Sequence, residues 1–355
     1  MPLEDWGWDA RWAAEFSALP GRGLRPARVV NERRGVYGVV AADGERDARL
    51  TGASRRKAGA RANLPAVGDW LAVELSPGER VATVREILPR RTKLSRKAAG
   101  EALEEQVIAA NLDAVFVTTA LNQDFNPRRL ERFLIVCRES GAEPVLLLNK
   151  LDACPDPKTY IEEARAVAAG APVLTLSAKS GDGLTALSAW IKPGRTVGFV
   201  GTSGVGKSTI INRLRGDERL LTHATRVRDE RGRHTTTSRD LYLLPGGGVL
   251  LDTPGMREMQ FWEAGQGLAQ SFEEIDALAP SCRFRDCGHD REPGCAVLAA
   301  VAAGTVAAAR LAAWLKLRGE LAAKAARVSP ADQAAARRRS REARKAAPPR
   351  VRPPQ

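Results

Sequence analysis

Cysteine and histidine are scarce, with five and three residues in a chain of 355. Five thiols over that length cannot staple a disulfide framework, and three of them crowd between positions 282 and 295, which suggests a metal rather than bridges. Cys137 and Cys154 read as ordinary thiols. No run of about 18 uninterrupted apolar residues occurs, which argues against a membrane-spanning helix. The N-terminus, with Trp6, Trp8 and Trp12 among the acids Glu4, Asp5 and Asp9, lacks the basic-then-apolar layout of an export signal. A cytoplasmic location is therefore expected. Internal repeats are absent too, so the length implies two or three distinct domains.

Basic charge, in contrast, is plentiful. The net charge is +13, and part of it reflects a general enrichment in Ala and Arg. Its distribution is more informative: from Arg337 to Gln355 eight basic residues stand against one acid, Glu342, beside four prolines. Such a tail cannot bury a core, and 329–355 is expected to be a disordered basic extension.

After an N-terminal extension (1–25) with a short amphipathic helix, residues 26–92 read as brief strands broken by turns. Ala27–Val30, Val36–Val40, Asp69–Val73 and Arg80–Val84 are the candidates, and they predict a small five-stranded β-barrel of the oligonucleotide-binding (OB-fold) type. Amid them lies a loop holding Arg55, Arg56, Lys57 and Arg61. It is either a nucleic-acid-facing loop of such a barrel or a solvated hairpin loop. A basic connector, Arg90 to Lys97, follows. Residues 100–262 then alternate apolar strands (Ala114–Val117, Pro144–Leu148, Val173–Leu176, Val197–Val200 and Val249–Leu251) with helical stretches, the pattern of a parallel sheet covered on both faces. From about 265 to 328 the chain turns helical around the cysteine cluster.

Gly201-Thr202-Ser203-Gly204-Val205-Gly206-Lys207-Ser208 fits the phosphate-loop pattern, preceded by an apolar strand and followed from Thr209 by a helix start. Its glycines let backbone N–H groups approach phosphates, Lys207 reaches the β and γ oxygens, and Ser208 offers a magnesium ligand. Asn149-Lys150-Leu151-Asp152 follows a strand end. There the Asp152 carboxylate can accept from guanine N1–H and the exocyclic amine, Asn149 can bond the other edge, and Lys150 can pack over the ring. Ser177-Ala178-Lys179, after the next strand, would bring a backbone N–H to guanine O6. Asp252-Thr253-Pro254-Gly255 places a carboxylate for magnesium and an amide, that of Gly255, for the γ-phosphate. Of Thr235, Thr236 and Thr237 in the first switch, Thr236 is favoured for the magnesium shell. Cys282, Cys287, His289 and Cys295 form C-x4-C-x-H-x5-C, four ligands suited to one closed structural zinc site, against the alternative of unrelated thiols.

One absence bears on catalysis. Many GTPases place a water-orienting glutamine directly after Asp-x-x-Gly, whereas Met256 occupies that position and cannot orient water. His234, beside the switch threonines, is the candidate to do so, against the alternative of an exposed loop histidine. His223 is read as structural, and Arg226, Arg228, Arg231 and Arg233 as a solvated basic loop.

The motif order is unusual, because Asn149 precedes Gly201 by 52 residues. Ligands gather at strand C-termini in such sheets, so chain order can be permuted with the pocket kept. This order, with a barrel before it and a Cys/His cluster after it, resembles the circularly permuted GTPases that mature the bacterial small ribosomal subunit, the small-subunit-dependent GTPase A (RsgA/YjeQ) family. The resemblance covers about residues 25 to 325. It implies an N-terminal OB-fold, a central α/β P-loop GTPase domain with permuted motifs and a C-terminal helical zinc-binding domain. It further implies magnesium-dependent GTP hydrolysis with His234 as the catalytic residue, and stimulation by the 30S subunit in its late maturation. The expected partners are that subunit and its rRNA, GTP and GDP, with no membrane and a monomeric chain. A non-catalytic, nucleotide-gated RNA-binding switch is the contrasting reading, and a GTPase of tRNA modification or membrane transport a third.

Overall fold

The structure, a computed structural model, describes residues 2–21, 23–75, 79–97, 105–216, 239–252, 268–269 and 271–326. His223, Arg226 to Arg233, His234, Thr235 to Thr237, Thr253 to Met256 and the tail lie outside the described residues. The chain divides into two compact units, Met1–Ala277 and Leu278–Gln355.

The first unit begins with the barrel. Strands β1 (Arg25–Arg33), β2 (Val36–Ala41), β3 (Gly44–Leu50), β4 (Trp70–Glu74) and β5 (Val81–Ile87) pair in the order β1-β2-β3-β5-β4, and β4 returns to β1. The sheet is thereby closed, with β3 and β5 parallel and the other pairs antiparallel. Ala27, Val29, Val39, Leu71, Val73, Ala82 and Val84 turn inward and are buried. β1 bulges between Val29 and Asn31, and the Asn31 side chain lies over Gly38 opposite, where a Cβ would come within 2.6 Å of Asn31 Oδ1 and displace that side chain. β3, absent from the sequence expectation, is Gly-Glu-Arg-Asp-Ala-Arg-Leu, too polar to read as a strand until its partners supply the ladder. The segment with Arg55 and Arg56, expected as a loop, begins as helix α2 (Gly52–Ala58), whose cap residue Thr51 accepts from Ser54 N.

The basic connector also differs from expectation. Lys93–Lys97 is strand β6, paired antiparallel with β7 (Glu105–Ala110), and cross-strand contacts from Glu105 to Lys93 (2.7 Å) and Ser95 (2.7 Å) hold this polar hairpin. Just before it, Arg90 grips buried Asp69 through Nε (2.8 Å) and Nη2 (2.7 Å). The same guanidinium donates to Ala62 O and Leu64 O (both 2.7 Å), fixing the 3₁₀ turn Arg61–Asn63.

Next comes the α/β sheet, in the order β10-β9-β8-β11-β13-β12. β8 (Ala114–Ala120), β9 (Glu143–Asn149), β10 (Val173–Thr175), β11 (Thr196–Val200) and β13 (Val249–Asp252) are parallel. β12 (Asp240–Leu243) lies antiparallel at the edge. Helices α3 (Pro127–Glu139), α4 (Lys158–Ala168) and α5 (Lys207–Arg215) connect the parallel strands. Continuous apolar runs such as Val145-Leu146-Leu147-Leu148 are wholly buried, as a sheet covered on both faces demands. Phe116 and Phe199 meet at 4.9 Å in its core with Leu147, Leu176, Val197 and Leu250. β12 also pairs with barrel strand β1, Asn31 opposite Asp240, so barrel and α/β sheet form one continuous hydrogen-bonded surface.

The N-terminal segment is well built. Helix α1 (Ala10–Ser17) is capped by Asp9, which accepts from Trp12 N (2.9 Å). Trp6 and Trp12 are buried, Trp8 stacks edge-on against Trp70 of the barrel at 4.7 Å, and Arg91 lies 4.0 Å over the Trp12 ring. Beneath them the buried Arg28 guanidinium donates to the carbonyls of Trp6, Gly68 and Asn111. Burial lowers its pKa to about 10.

The first unit ends with the short helix α6 (Glu273–Asp276), and in the second unit α7 (Ala296–Ala302) and α8 (Ala308–Ala326) frame the cysteine cluster. Among the described residues no helix is long and apolar enough to cross a membrane.

Candidate nucleotide site and metal centre

The residues expected to read GTP converge at the C-terminal ends of the parallel strands. β11 ends at Val200 and α5 begins at Lys207, leaving Gly201–Gly206 as the turn between them. Gly201, Gly204 and Gly206 have φ of 142°, 79° and 98°, a region that side chains resist. Two of the three are also crowded: a Cβ on Gly201 would lie 2.1 Å from Thr118 O, and one on Gly206 2.1 Å from Asn149 Nδ2. Lys207 Nζ folds back onto the carbonyls of Gly201 (2.7 Å) and Thr202 (2.6 Å), holding its ammonium inside the loop.

Asn149 joins three motifs. Its Nδ2 donates to Val205 O in the phosphate loop (2.7 Å), and its Oδ1 accepts from Ala178 N in the Ser-Ala-Lys loop (2.9 Å). With only 2% of its surface exposed, this side chain braces the pocket, whereas the sequence suggested contact with the base edge. Asp152 receives a hydrogen bond from Ser177 Oγ at 2.6 Å, and the same hydroxyl accepts from Ser180 N (3.1 Å). Its carboxylate is thus oriented from behind. Lys150 takes a left-handed φ of 68°, uncommon for a residue with a side chain. Arg213, near the end of α5, donates to Lys179 O (2.6 Å), tying the phosphate-loop helix to the base-reading side. Thr118 and Arg213 were not anticipated: one acts through a backbone carbonyl, and the other carries no local pattern.

Asp252 closes β13 and lies opposite Asp240 in the antiparallel β12–β13 pair. Burial raises its pKa, the positive charges of Arg215 and Lys207 oppose that rise, and Asp240 adds to it. A carboxylate so placed gains from a divalent cation, which fits its expected magnesium role. Ser208 stands in the first turn of α5, after Lys207, and Thr209 follows. Thr236, Gly255 and His234, the rest of the expected set, lie outside the described residues.

The second unit brings Cys282, Cys287, His289 and Cys295 together, with their ligand atoms all within 4.8 Å of one another. Cys282 Sγ is 3.8 Å from Cys295 Sγ, and His289 Nδ1 is 3.6 Å and 3.4 Å from those two sulfurs. A tetrahedral zinc with bonds of about 2.3 Å to sulfur and 2.0–2.1 Å to nitrogen has edges of about 3.8 Å (S to S) and about 3.6 Å (S to N). The cluster thus has the dimensions of a zinc tetrahedron, and its donor set could hold that metal. Burial lowers the pKa of His289, favouring the neutral ring that ligates, and Trp314 packs against it at 5.2 Å. Cys295 caps α7, its sulfur accepting from Leu298 N (3.4 Å). Glu292 takes hydrogen bonds from the amides of Gly288, Asp290 and Arg291, which shape the loop between the ligands.

Comparison with known proteins gives a concordant picture. Residues 87–262 match the RsgA GTPase family. The small ribosomal subunit biogenesis GTPase RsgA of Opitutus terrae is 48% identical over 339 residues, 93% of this chain and 92% of that protein. The protein of the same name from Syntrophotalea carbinolica is 42% identical over 347 residues, 96% of this chain and 95% of its own. Among solved structures, YjeQ from Thermotoga maritima superposes with a TM-score of 0.62 at 26% identity, covering 84% of this chain and 98% of that one. YloQ, described as a circularly permuted GTPase, shares the fold with a TM-score of 0.60 at 24% identity, over 86% of this chain and 99% of its own.

Proposed function

The chain belongs to the RsgA GTPase family, a family of P-loop GTP hydrolases, and from that premise we propose that it hydrolyses GTP on the small ribosomal subunit, in late maturation of that particle. Asn149 is the observation that carries the nucleotide half of this reading. One buried amide fastens the phosphate loop to the base-reading loop across 56 residues of reversed chain order, so a single guanine nucleotide can meet both. In this reading Asp152 accepts from the guanine N1–H and amine, held by Ser177. Ala178 and Lys179 offer backbone N–H groups to O6, and Lys150 covers the ring. Lys207 exchanges its two carbonyl contacts for phosphate oxygens, and the Gly201–Gly206 turn supplies N–H groups. Bound magnesium would neutralise charge developing on the phosphates, with Ser208, Thr236 and Asp252 as the residues to hold it. His234 orients the attacking water, the task that Met256 cannot perform.

The ribosomal half of the reading is supported by the names of the relatives, by the five-stranded barrel, a fold that offers nucleic acid a face, and by the basic surplus. A monomer working in the cytoplasm, with zinc as the metal of the second unit, completes the proposal. The contrasting reading, a switch that binds nucleotide without turnover, is favoured by Met256 alone.

Phosphate release measured with and without purified small subunits separates the two, and stimulation is expected. Unchanged release would favour the non-catalytic switch. Changing His234 to Ala should remove stimulated turnover and spare GTP affinity. If stimulated turnover survives in that variant, another group positions the water.

A further inference from the structure

The N-terminal segment, the barrel and the α/β sheet border a cavity of about 510 Å³, a size common for small-molecule sites. Thr196 opens β11 and Asp113 directly precedes β8, and both line it, so the cavity lies at the N-terminal ends of the parallel strands. The phosphate loop follows Val200 at the other end of β11, about 13 Å away at roughly 3.3 Å per residue. The cavity is therefore separate from the nucleotide pocket.

Two buried polar groups on its lining have bonding capacity left. Thr196 is 1% exposed, and among the described residues its Oγ1 has no hydrogen-bond partner, although its backbone N donates to Asp113 Oδ2 (2.6 Å). Arg28 is 2% exposed and spends one N–H of each nitrogen on a carbonyl, Nε on Gly68, Nη1 on Trp6 and Nη2 on Asn111. A guanidinium has five N–H groups, so two remain, one on each terminal nitrogen. Three indoles add flat apolar surface. Trp12 and Trp70 are buried, and Arg91 covers the Trp12 ring at 4.0 Å. Trp8 meets Trp70 at 66° rather than face to face and is only half-buried, which leaves it the indole with surface to offer a ligand.

Charge narrows the ligand class. Asp9 takes both terminal nitrogens of Arg91, and Glu143 takes Arg195 at 3.3 Å, so these two lining cations are already met by carboxylates. Glu4 and Asp113 add negative charge to the lining. A phosphate would face these acids with Arg28 as its remaining counter-charge, and like charges brought together cost affinity. A neutral flat ring avoids that cost. Its edge should carry acceptors for Arg28 and Thr196 and an amine for the Asp113 carboxylate, which is how cytosine presents O2, N3 and N4.

We propose that this cavity is a second base-binding site, in which Trp8 stacks on a cytosine-like nucleobase while Arg28, Thr196 and Asp113 read its edge. The base comes from a free nucleoside or from a strand of RNA. The site does not depend on the proposed GTPase function, since its residues lie apart from the phosphate loop and the base-reading motif.

Calorimetric titration of the full-length protein with cytidine, in saturating GDP and magnesium so that the guanine pocket is filled, provides the test. One cytidine should bind per chain with a Kd below about 1 mM. Thr196→Val should weaken it about fivefold, and its melting temperature should be equal or higher, because valine keeps the volume and removes an unpartnered buried hydroxyl. Trp8→Leu should weaken it about tenfold through lost stacking. A single-stranded oligocytidine RNA of about 8 nucleotides distinguishes the sources. Tighter binding than cytidine, with the same sensitivity to Thr196→Val, assigns the site to RNA, whereas binding of cytidine alone assigns it to a free nucleoside. Absence of cytidine binding at millimolar concentration overturns the proposal. So does cytidine binding that both variants leave unchanged, which would put the ligand elsewhere, and so does displacement of cytidine by inorganic phosphate, which would make the cavity an anion site. GTP turnover enters none of these readouts, so failure of small subunits to stimulate hydrolysis would count against the proposed function alone.

Discussion

Asn149 and Asp152 stand three positions apart and act in different directions. Asn149 faces inward and spends its amide on Val205 O and Ala178 N, while Asp152 is held outward by Ser177 Oγ. Asp152→Asn should therefore weaken GTP by about 10- to 100-fold, the cost of losing charge-assisted bonds to two guanine donors, and shift preference toward xanthine nucleotides, whose edge an amide matches. Asn149→Ala leaves a buried amide and a buried carbonyl without partners and should weaken guanine and xanthine nucleotides alike by a similar factor. Equilibrium titration of both variants with both nucleotides decides the matter: equal base selectivity in the two would refute this division of labour. The string Asn-Lys-x-Asp is legible in sequence because four residues at a strand end suffice to recognise it. The brace is not, because Val205 lies 56 positions away and contributes only a carbonyl.

At the scale of elements, legibility followed apolar pattern. The buried strands β8, β9, β11 and β13 stand out as short apolar runs, and so do the inward faces of β1, β2, β4 and β5. The polar strands β3 and β6 do not, because cross-strand partners such as Glu105 stabilise them rather than their own composition. β12 escaped notice for a similar reason, being four residues that hold their place through β13 and β1. The cysteine cluster was legible from spacing, and its geometry adds a thermodynamic expectation. Within the described part of the second unit the buried apolar set is small, chiefly Val297, Val306, Leu311 and Leu317, so metal binding would supply much of its folding free energy. Chelation, or Cys287→Ala, should reduce helix content by circular dichroism and impair subunit-stimulated hydrolysis while leaving GTP affinity within about twofold, less than RT in free energy. Equal loss of binding and stimulation would show that the metal supports the nucleotide pocket instead.

At the scale of the whole first unit, the permuted order places the phosphate loop late in the domain, and the first 17 residues reach back to the loop that feeds its strand. Gly7, with φ of 90°, packs so closely there that a Cβ would lie 2.6 Å from Gly194 O, two residues before β11 begins. The same segment grips the barrel through Trp8 on Trp70, and the connector through Asp9, which takes Arg91 Nη1 and Nη2 at 2.6 Å and 2.7 Å. An extension whose role its weak sequence pattern left open thus ties barrel, connector and α/β sheet together. Its electrostatic part is open to measurement by pH. Hydrogen bonding from Arg91 lowers the Asp9 pKa from 3.8 to about 2, partly opposed by burial. A depressed carboxylate pKa contributes stability that is full above 3.8 and lost as pH falls through about 2, while Arg91 stays charged throughout. The Asp9 side chain is 49% exposed, so salt should screen the effect substantially. Between pH 5 and 2, emission from Trp8, Trp12 and Trp70 should therefore shift in the wild type at low salt, with a component missing from Asp9→Asn and reduced at about 1 M salt, where the screening length is only about 3 Å. Other carboxylates titrate in the same window, which makes the difference between the two proteins the informative quantity. If Asp9→Asn follows the wild-type acid profile at both salt concentrations, the ion pair does not hold the segment, and the tryptophan contacts alone must do so.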